Sequence, residues 1–187
     1  MRKKRICTFG SYKIPGKREK DEMVDLGRLI ASKGFEVVTG GFGGTMEYVS
    51  KGVKEAGGAT IGITYYKRDA IRRCANRFVD KEIKAKNIFE RISIMLDTSD
   101  GFIILPGGTG TLLELTACLE CINKNIMKPK PIILLGDYWE PVIDRLKREP
   151  LLSKTARSAL NAHYCSELIS FASSSSEAIE RLIHRLK

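Results

Sequence analysis

From Gly101 to Glu120 the chain reads GFIILPGGTGTLLELTACLE: a short apolar run, a glycine cluster and a helix-patterned segment in direct succession. Gly101 to Leu105 has the continuous hydrophobicity of a strand covered on both faces. Pro106 to Thr111 places three glycines in four residues, so the backbone can turn tightly and approach a ligand with no Cβ in the way. A helix starting near Thr111 aims its first unpaired N–H groups and its positive dipole end at whatever lies on the turn. That is an anion site, most simply for a phosphate. Gly107, Gly108, Thr109, Gly110 and Thr111 are its candidate binding residues, and Glu114 stands one helical turn in, on the same rim. Up to Thr111 an ordinary βα turn, with glycines that only save space, has the same pattern. Two commoner nucleotide loops are excluded. A P-loop requires Lys-Ser or Lys-Thr after its second glycine, and the dinucleotide fingerprint requires a third glycine where Leu112 and Leu113 stand.

The rest of the chain repeats the strand–turn–helix unit. Arg5 to Phe9 reads as a strand, Gly10-Ser11 opens the loop after it, and Glu19 to Lys33 is a helix with Met23, Leu26, Gly27 and Ile30 inward. Gly34 closes that helix. Phe35 to Thr39 is a strand, followed by a second glycine-rich turn, Gly40-Gly41-Phe42-Gly43-Gly44-Thr45, and a helix to about Ala56. Ala59 to Thr64 is a third strand, and Tyr65 to Asp80 is irregular, either a solvated loop or a cover carrying Arg68, Arg72, Arg73 and Arg77. Glu82 to Asp97 reads as one long helix with Ile88, Ile92 and Met95 buried. Arg91 lies at the edge of that stripe, where spacing alone fits a salt bridge or a snorkelling side chain. Pro131 to Gly136 and Leu168 to Ala172 are further strands. Ser174 to Glu177 is a capping box before a closing helix. With no repeat and no domain break, residues 1–187 read as a single α/β domain: three layers, Rossmann-like, around a mostly parallel sheet. Ligands of such sheets bind outside the carboxyl ends of the strands. Gly10, Ser11, Gly41, Gly43, Gly44 and Thr45 therefore join the first turn as candidate nucleotide-binding residues around one crevice.

Charge narrows the partners. Lys and Arg number 32 against 22 Asp and Glu, a balance that favours anions. The basic residues are scattered and the aromatics few, which speaks for a phosphorylated metabolite over nucleic acid. No run is apolar enough to span a membrane. The basic start, Met1 to Arg5, precedes only Ile6 to Phe9, too short for a signal peptide, so a cytoplasmic protein is expected. The 5 cysteines are then thiols. Cys118 and Cys121 form a CxxC two turns inside a helix, beside Leu115, Leu119 and Ile122, where buried thiols are a better reading than a redox pair. No zinc spacing accompanies them.

Pro106-Gly107-Gly108-Thr109-Gly110-Thr111-Leu112-Leu113-Glu114 resembles the PGGxGTxxE signature of the LOG family, the cytokinin-nucleoside-monophosphate phosphoribohydrolases. Three further stretches are similar to that family. Gly40 to Glu47 matches its GGGxxGLMG turn, with Thr45 for a leucine and Glu47 for a small residue, a form closer to bacterial LOG-like relatives. Ile88 to Ile92 matches its MHERK stretch, with Phe89 for the histidine and Ile92 for the lysine. Lys128 to Trp139 matches a third region, and the resemblance runs over residues 5 to 147. It implies that Arg91 and Glu114 are catalytic and that the protein is a homodimer; cleavage of such a nucleoside monophosphate requires no metal or cofactor. Family members have been labelled lysine decarboxylases. That chemistry needs pyridoxal phosphate and a Schiff-base lysine, which nothing here marks.

The expected substrate is a nucleoside 5′-monophosphate, AMP or a cytokinin-type nucleotide, cleaved to free base and ribose 5-phosphate. The sugar passes through an oxocarbenium-like state that a nearby carboxylate stabilises, or for which it activates water. Glu114 fits that role, and the planar fork of Arg91 suits phosphate, sugar or Glu114 itself. The alternative is a carrier of the same fold that holds a nucleotide or the molybdenum cofactor without cleaving it.

Overall fold

Short strands rich in Val, Ile and Phe alternate with helices that are apolar along one stripe, and such units bury themselves only by stacking helices on both faces of a parallel sheet. The computed structural model describes residues 2–13, 16–65 and 74–186. Its strands are β1 (Arg5–Phe9), β2 (Glu36–Thr39), β3 (Thr60–Tyr65), β4 (Lys81–Ala85), β5 (Gly101–Ile104), β6 (Ile132–Leu135) and β7 (Ile169–Ala172). They form one sheet in the order β4-β3-β2-β1-β5-β6-β7, with every neighbouring pair parallel. The helices are α1 (Lys17–Ser32), α2 (Thr45–Glu55), α3 (Ile88–Thr98), α4 (Thr109–Asn123), α5 (Glu140–Arg145), α6 (Lys154–Leu160) and α7 (Ser175–Arg185).

Because strand side chains alternate between faces, each strand feeds two cores. On one face Ile6, Val37, Ile103 and Ile133 meet Leu26 and Ile30 of α1, Val49 and Val53 of α2, and Ile179 and Leu182 of α7. On the other, Cys7, Phe9, Val38 and Phe102 meet Met95 and Leu96 of α3 and Leu115, Cys118 and Ile122 of α4. The chain leaves β1 toward the first face and β5 toward the second, although β1 and β5 are hydrogen-bonded neighbours. Their carboxyl ends therefore flank the crevice of an open parallel sheet. Gly10-Ser11 follows β1 there, and the Pro106 to Thr111 turn follows β5.

One expected element is divided. The stretch expected as a single helix from Glu82 opens as strand β4, which pairs with β3 from Ile61↔Lys81 to Tyr65↔Ala85. Its exposed Lys81 and Lys84 suit a sheet edge, where charge discourages further pairing. The helix begins only at Ile88, because the Asn87 side chain accepts from the backbone N–H groups of Phe89 and Glu90 and caps it. The segment after α5 also holds α6 and a 3-10 turn, Cys165–Leu168, neither of them anticipated. At α7 the Ser174 hydroxyl accepts from Glu177 N–H as expected, while the Glu177 carboxylate reaches back to Ser173.

Candidate active site

Gly108 is the N-cap of α4, two residues earlier than the sequence suggested, and no side chain caps the helix. Its first internal bond runs from Leu112 N–H to the Gly108 carbonyl at 3.0 Å. The N–H groups of Thr109, Gly110 and Thr111 are thus left without helical partners. Thr109 and Gly110 are exposed, whereas Thr111 is buried against Gly107, whose absent Cβ would stand 2.1 Å from the Thr111 hydroxyl. Of the two threonine hydroxyls, then, Thr109 offers the accessible one. The turn is pinned from behind: buried Trp139 donates its indole N–H to the Leu105 carbonyl at 2.9 Å.

The loops after β1 and β2 interlock beside this turn. Thr45 donates to the Ser11 carbonyl from its backbone N–H at 2.9 Å and from its hydroxyl at 3.1 Å. Gly44 has φ 72°, and a Cβ on it would meet the Ser11 carbonyl oxygen at 2.3 Å. Both conformation and space therefore require glycine there. Gly10 leaves room in the same way for the Thr45 hydroxyl. A cavity of about 550 Å³ opens over these loops, lined by Ser11, Thr45, Gly107 and Gly108, and on its far walls by Lys13, Arg18, Glu22, Tyr138 and Ser173. This is the size range of small-molecule sites. Of the candidate binding residues, Gly10, Gly41, Gly43, Gly44, Thr109, Gly110 and Thr111 do not line it. Of the arginines in the irregular stretch, Arg68, Arg72 and Arg73 lie outside the described residues; Arg77 packs on Phe78.

Arg91 and Glu114 are brought together. Arg91 Nη1 lies 2.8 Å from Glu114 Oε1, and each residue is 5% exposed. Arg91 Nε donates to the Ile63 carbonyl at 2.7 Å. Side chains on a helix lean toward its N-terminus, so the Glu114 carboxylate leans toward the glycine turn. Burial drives the Glu114 carboxyl up from the ordinary 4.5 to about 7, against the lowering effect of the Arg91 charge and its hydrogen bond. A carboxylate poised near neutrality can take a proton from water. Neither residue lines the cavity; they lie on the α3 and α4 side of the turn, while the cavity reaches Met23 of α1 and Ser173 before α7. Among the described residues no group of three or more His, Cys, Asp or Glu is placed to hold a metal ion.

The two family departures fall differently. Ile92 is buried among Met95 and Leu96, and Phe89 is exposed on the first turn of α3. Glu47 is half-buried in the first turn of α2 near Gly43. Cys118 is buried, Cys121 half-buried, and both thiols are unpaired, with burial raising their pKa values. Sequence reading missed Trp139 as the prop of the turn and Lys13, Arg18, Glu22, Tyr138 and Ser173 as cavity wall. Trp139 carried a signal, as the single tryptophan of the chain, and so did its neighbour Tyr138, both within a stretch already similar to the family.

Residues 46–182 match a protein family described as possible lysine decarboxylase. A cytokinin riboside 5′-monophosphate phosphoribohydrolase of Arabidopsis thaliana is 31% identical over 185 residues, covering 96% of this chain and 81% of that protein. One from Mycobacterium tuberculosis is 39% identical over 92 residues, 49% of each chain. Among solved structures, a molybdenum cofactor binding protein from the phototrophic bacterium Rippkaea orientalis superposes with a TM-score of 0.75 at 28% identity, covering 100% of this chain and 99% of that one.

Proposed function

The chain belongs to the LOG family, whose sequence pattern is also described as possible lysine decarboxylase, and from that membership we propose that it is a phosphoribohydrolase of nucleoside 5′-monophosphates. The observation that carries the reading is the buried Arg91–Glu114 pair beside an uncapped glycine turn, with the Glu114 carboxyl raised to about 7. The free N–H groups of Thr109 to Thr111, with the Thr109 hydroxyl, hold the 5′-phosphate. Ser11 and Thr45 line the cavity that Pro106, Gly107 and Gly108 border at the foot of this turn, and orient the rest of the nucleotide. Water adds to C1′ of the ribose while the C1′–N bond breaks, and its electron pair leaves with the base. Glu114 takes the proton from that water, the departing base gains one from solvent, and Arg91 holds the Glu114 carboxylate in line. Ribose 5-phosphate and the free base are the products, and no metal or cofactor enters the scheme. Catalysis here is the stabilisation of a positive sugar by a fixed carboxylate, the logic of glycoside hydrolysis with one carboxylate instead of two.

AMP and isopentenyl-AMP are the first substrates to offer, with released base read by chromatography. Release of base from either supports the reading, and the ratio of the two rates sets the preference between AMP and a cytokinin-type nucleotide. A second reading rests on the similarity to the Rippkaea protein across the whole chain. In it the protein holds a nucleotide or a pterin phosphate such as the molybdenum cofactor without cleaving it. Ile92, an apolar core residue where the family has lysine, favours that reading. Ligand recovered intact after prolonged incubation would decide for it.

A further inference from the structure

We infer that the first half of the second glycine-rich turn serves Arg91 and not the phosphate: Gly40, Phe42 and Tyr65 form a socket that aims the guanidinium at Glu114. The inference rests on the reading of Arg91 and Glu114 as the reacting pair. Arg91 Nη2 lies in a notch at Gly40, where a Cβ would stand 1.7 Å from that nitrogen and 3.0 Å from Cζ. A Cβ at position 40 would force the guanidinium, and with it the Met46 sulfur at 2.6 Å, to shift. The ring centroids of Phe42 and Tyr65 lie 5.7 and 5.8 Å from Arg91 Cζ. The two rings meet edge to face, 5.9 Å apart at 77°.

A guanidinium buried with a carboxylate loses its water, and that loss offsets much of the attraction between the two. Aromatic faces replace the lost water with an attraction that uses none of the N–H groups. Nε is then committed to Ile63 and Nη1 to Glu114, so the plane of the fork is fixed. Phe42 is held in its turn by Asn76, which donates from its side-chain amide to the Phe42 carbonyl at 2.9 Å and to the Gly41 carbonyl at 3.2 Å. The Asn76 backbone N–H also donates to the Gly41 carbonyl at 2.7 Å. Gly41, held with Phe42 by Asn76, thus belongs to this socket and does not line the cavity. Gly40, Phe42 and Tyr65 are positioning residues, acting through Arg91.

The test replaces Tyr65, which is half-buried at the end of β3, by Leu and by Phe. Gly40→Ala is the sharper variant, but its site is buried and its folding is less assured. Two quantities are read on each purified protein: kcat and KM for AMP, and the titration midpoint of the Glu114 carboxyl by carbon NMR on glutamate-labelled protein, assigned against Glu114→Gln. The groups facing that carboxyl are Arg91 from α3, Cys7 from β1 and Cys118 from α4. Tyr65→Leu is expected to lower kcat about fivefold to about thirtyfold, the worth of a partly desolvated cation–π contact, with KM little changed. It also moves the Glu114 midpoint upward, because a loosened Arg91 no longer holds it down. Tyr65→Phe keeps both quantities at wild-type values. A Tyr65→Leu protein with an unmoved midpoint overturns the inference, and so does a Tyr65→Phe protein as impaired as Tyr65→Leu. If wild type turns over no nucleotide, the proposed activity fails, while the titration still decides the socket.

Discussion

Glu114 is the side chain to which the proposed chemistry is assigned, and its burial bears on stability as well as catalysis. Its carboxyl titrates at about 7 in the folded protein, against 4.5 when exposed, chiefly because it is buried. The folded state therefore binds this proton more tightly than the unfolded state. The resulting stabilisation is complete below about 4.5 and is lost as pH rises through about 7. One such group changes stability by at most about 1.4 kcal/mol per pH unit. Denaturant unfolding between pH 5 and pH 8 should show wild type losing stability relative to Glu114→Gln, which has no proton to release. Parallel curves for the two proteins would contradict the burial argument. Glu114 and Arg91 were both legible in the sequence, but only through their place in a family pattern. Their contact stood in the sequence only as one of three options for Arg91, beside phosphate and sugar, since 23 residues separate the two and spacing along one helix does not fix a partner on another. Nor was the burial of Thr111, which follows from the turn closing on Gly107.

At the scale of elements, α1 and α2 meet backbone to backbone through two glycines. A Cβ at Gly52 would stand 1.9 Å from the Val24 carbonyl oxygen, and one at Gly27 would stand 2.2 Å from that of Val49. Alanine is the better helix former by about 1 kcal/mol. The clash outweighs it, because neither backbone can yield without shifting a whole helix against the sheet. Gly52→Ala should lose about 2 kcal/mol or more in denaturant unfolding, as overpacked cores do. A variant as stable as wild type would show that the helices separate freely. The alternation of strands and helices was readable because apolar period and glycine punctuation agreed over most of the chain. It failed at β4, where Lys-Glu-Ile-Lys-Ala carries helix-forming residues and takes its strand form from the edge of β3. The Asn87 and Glu90 pair, three residues apart, was the overlooked local sign that the helix starts later. The Cys165 turn and α6 belong to a stretch with weak periodicity that packs through Ala156, Ala162 and Leu168 onto a core already formed.

The candidate ligand crevice lies at the carboxyl ends of β1 and β5, neighbouring strands that send the chain to opposite faces of the sheet. This was expected from two glycine turns at strand ends, whereas the far walls of the cavity come from the β6 and β7 loops and from α1, which no motif tied together. No described helix is long and apolar enough to cross a membrane. Phe89 and Leu113 are exposed on α3 and α4, two helices that cover the same face of the sheet. We propose that this face joins two copies in a homodimer, as the family resemblance implies. Light scattering should return twice the 20.9 kDa mass of the chain, and Phe89→Glu should return the single mass. A wild-type protein of single mass would remove the dimer from the account. The central claim, hydrolysis of the bond between base and ribose, is tested most directly by incubating wild type and Glu114→Gln with a nucleoside 5′-monophosphate and quantifying free base and ribose 5-phosphate. The account predicts equal amounts of both products from wild type and none above background from Glu114→Gln. Nucleotide bound and recovered unchanged by both proteins would contradict it.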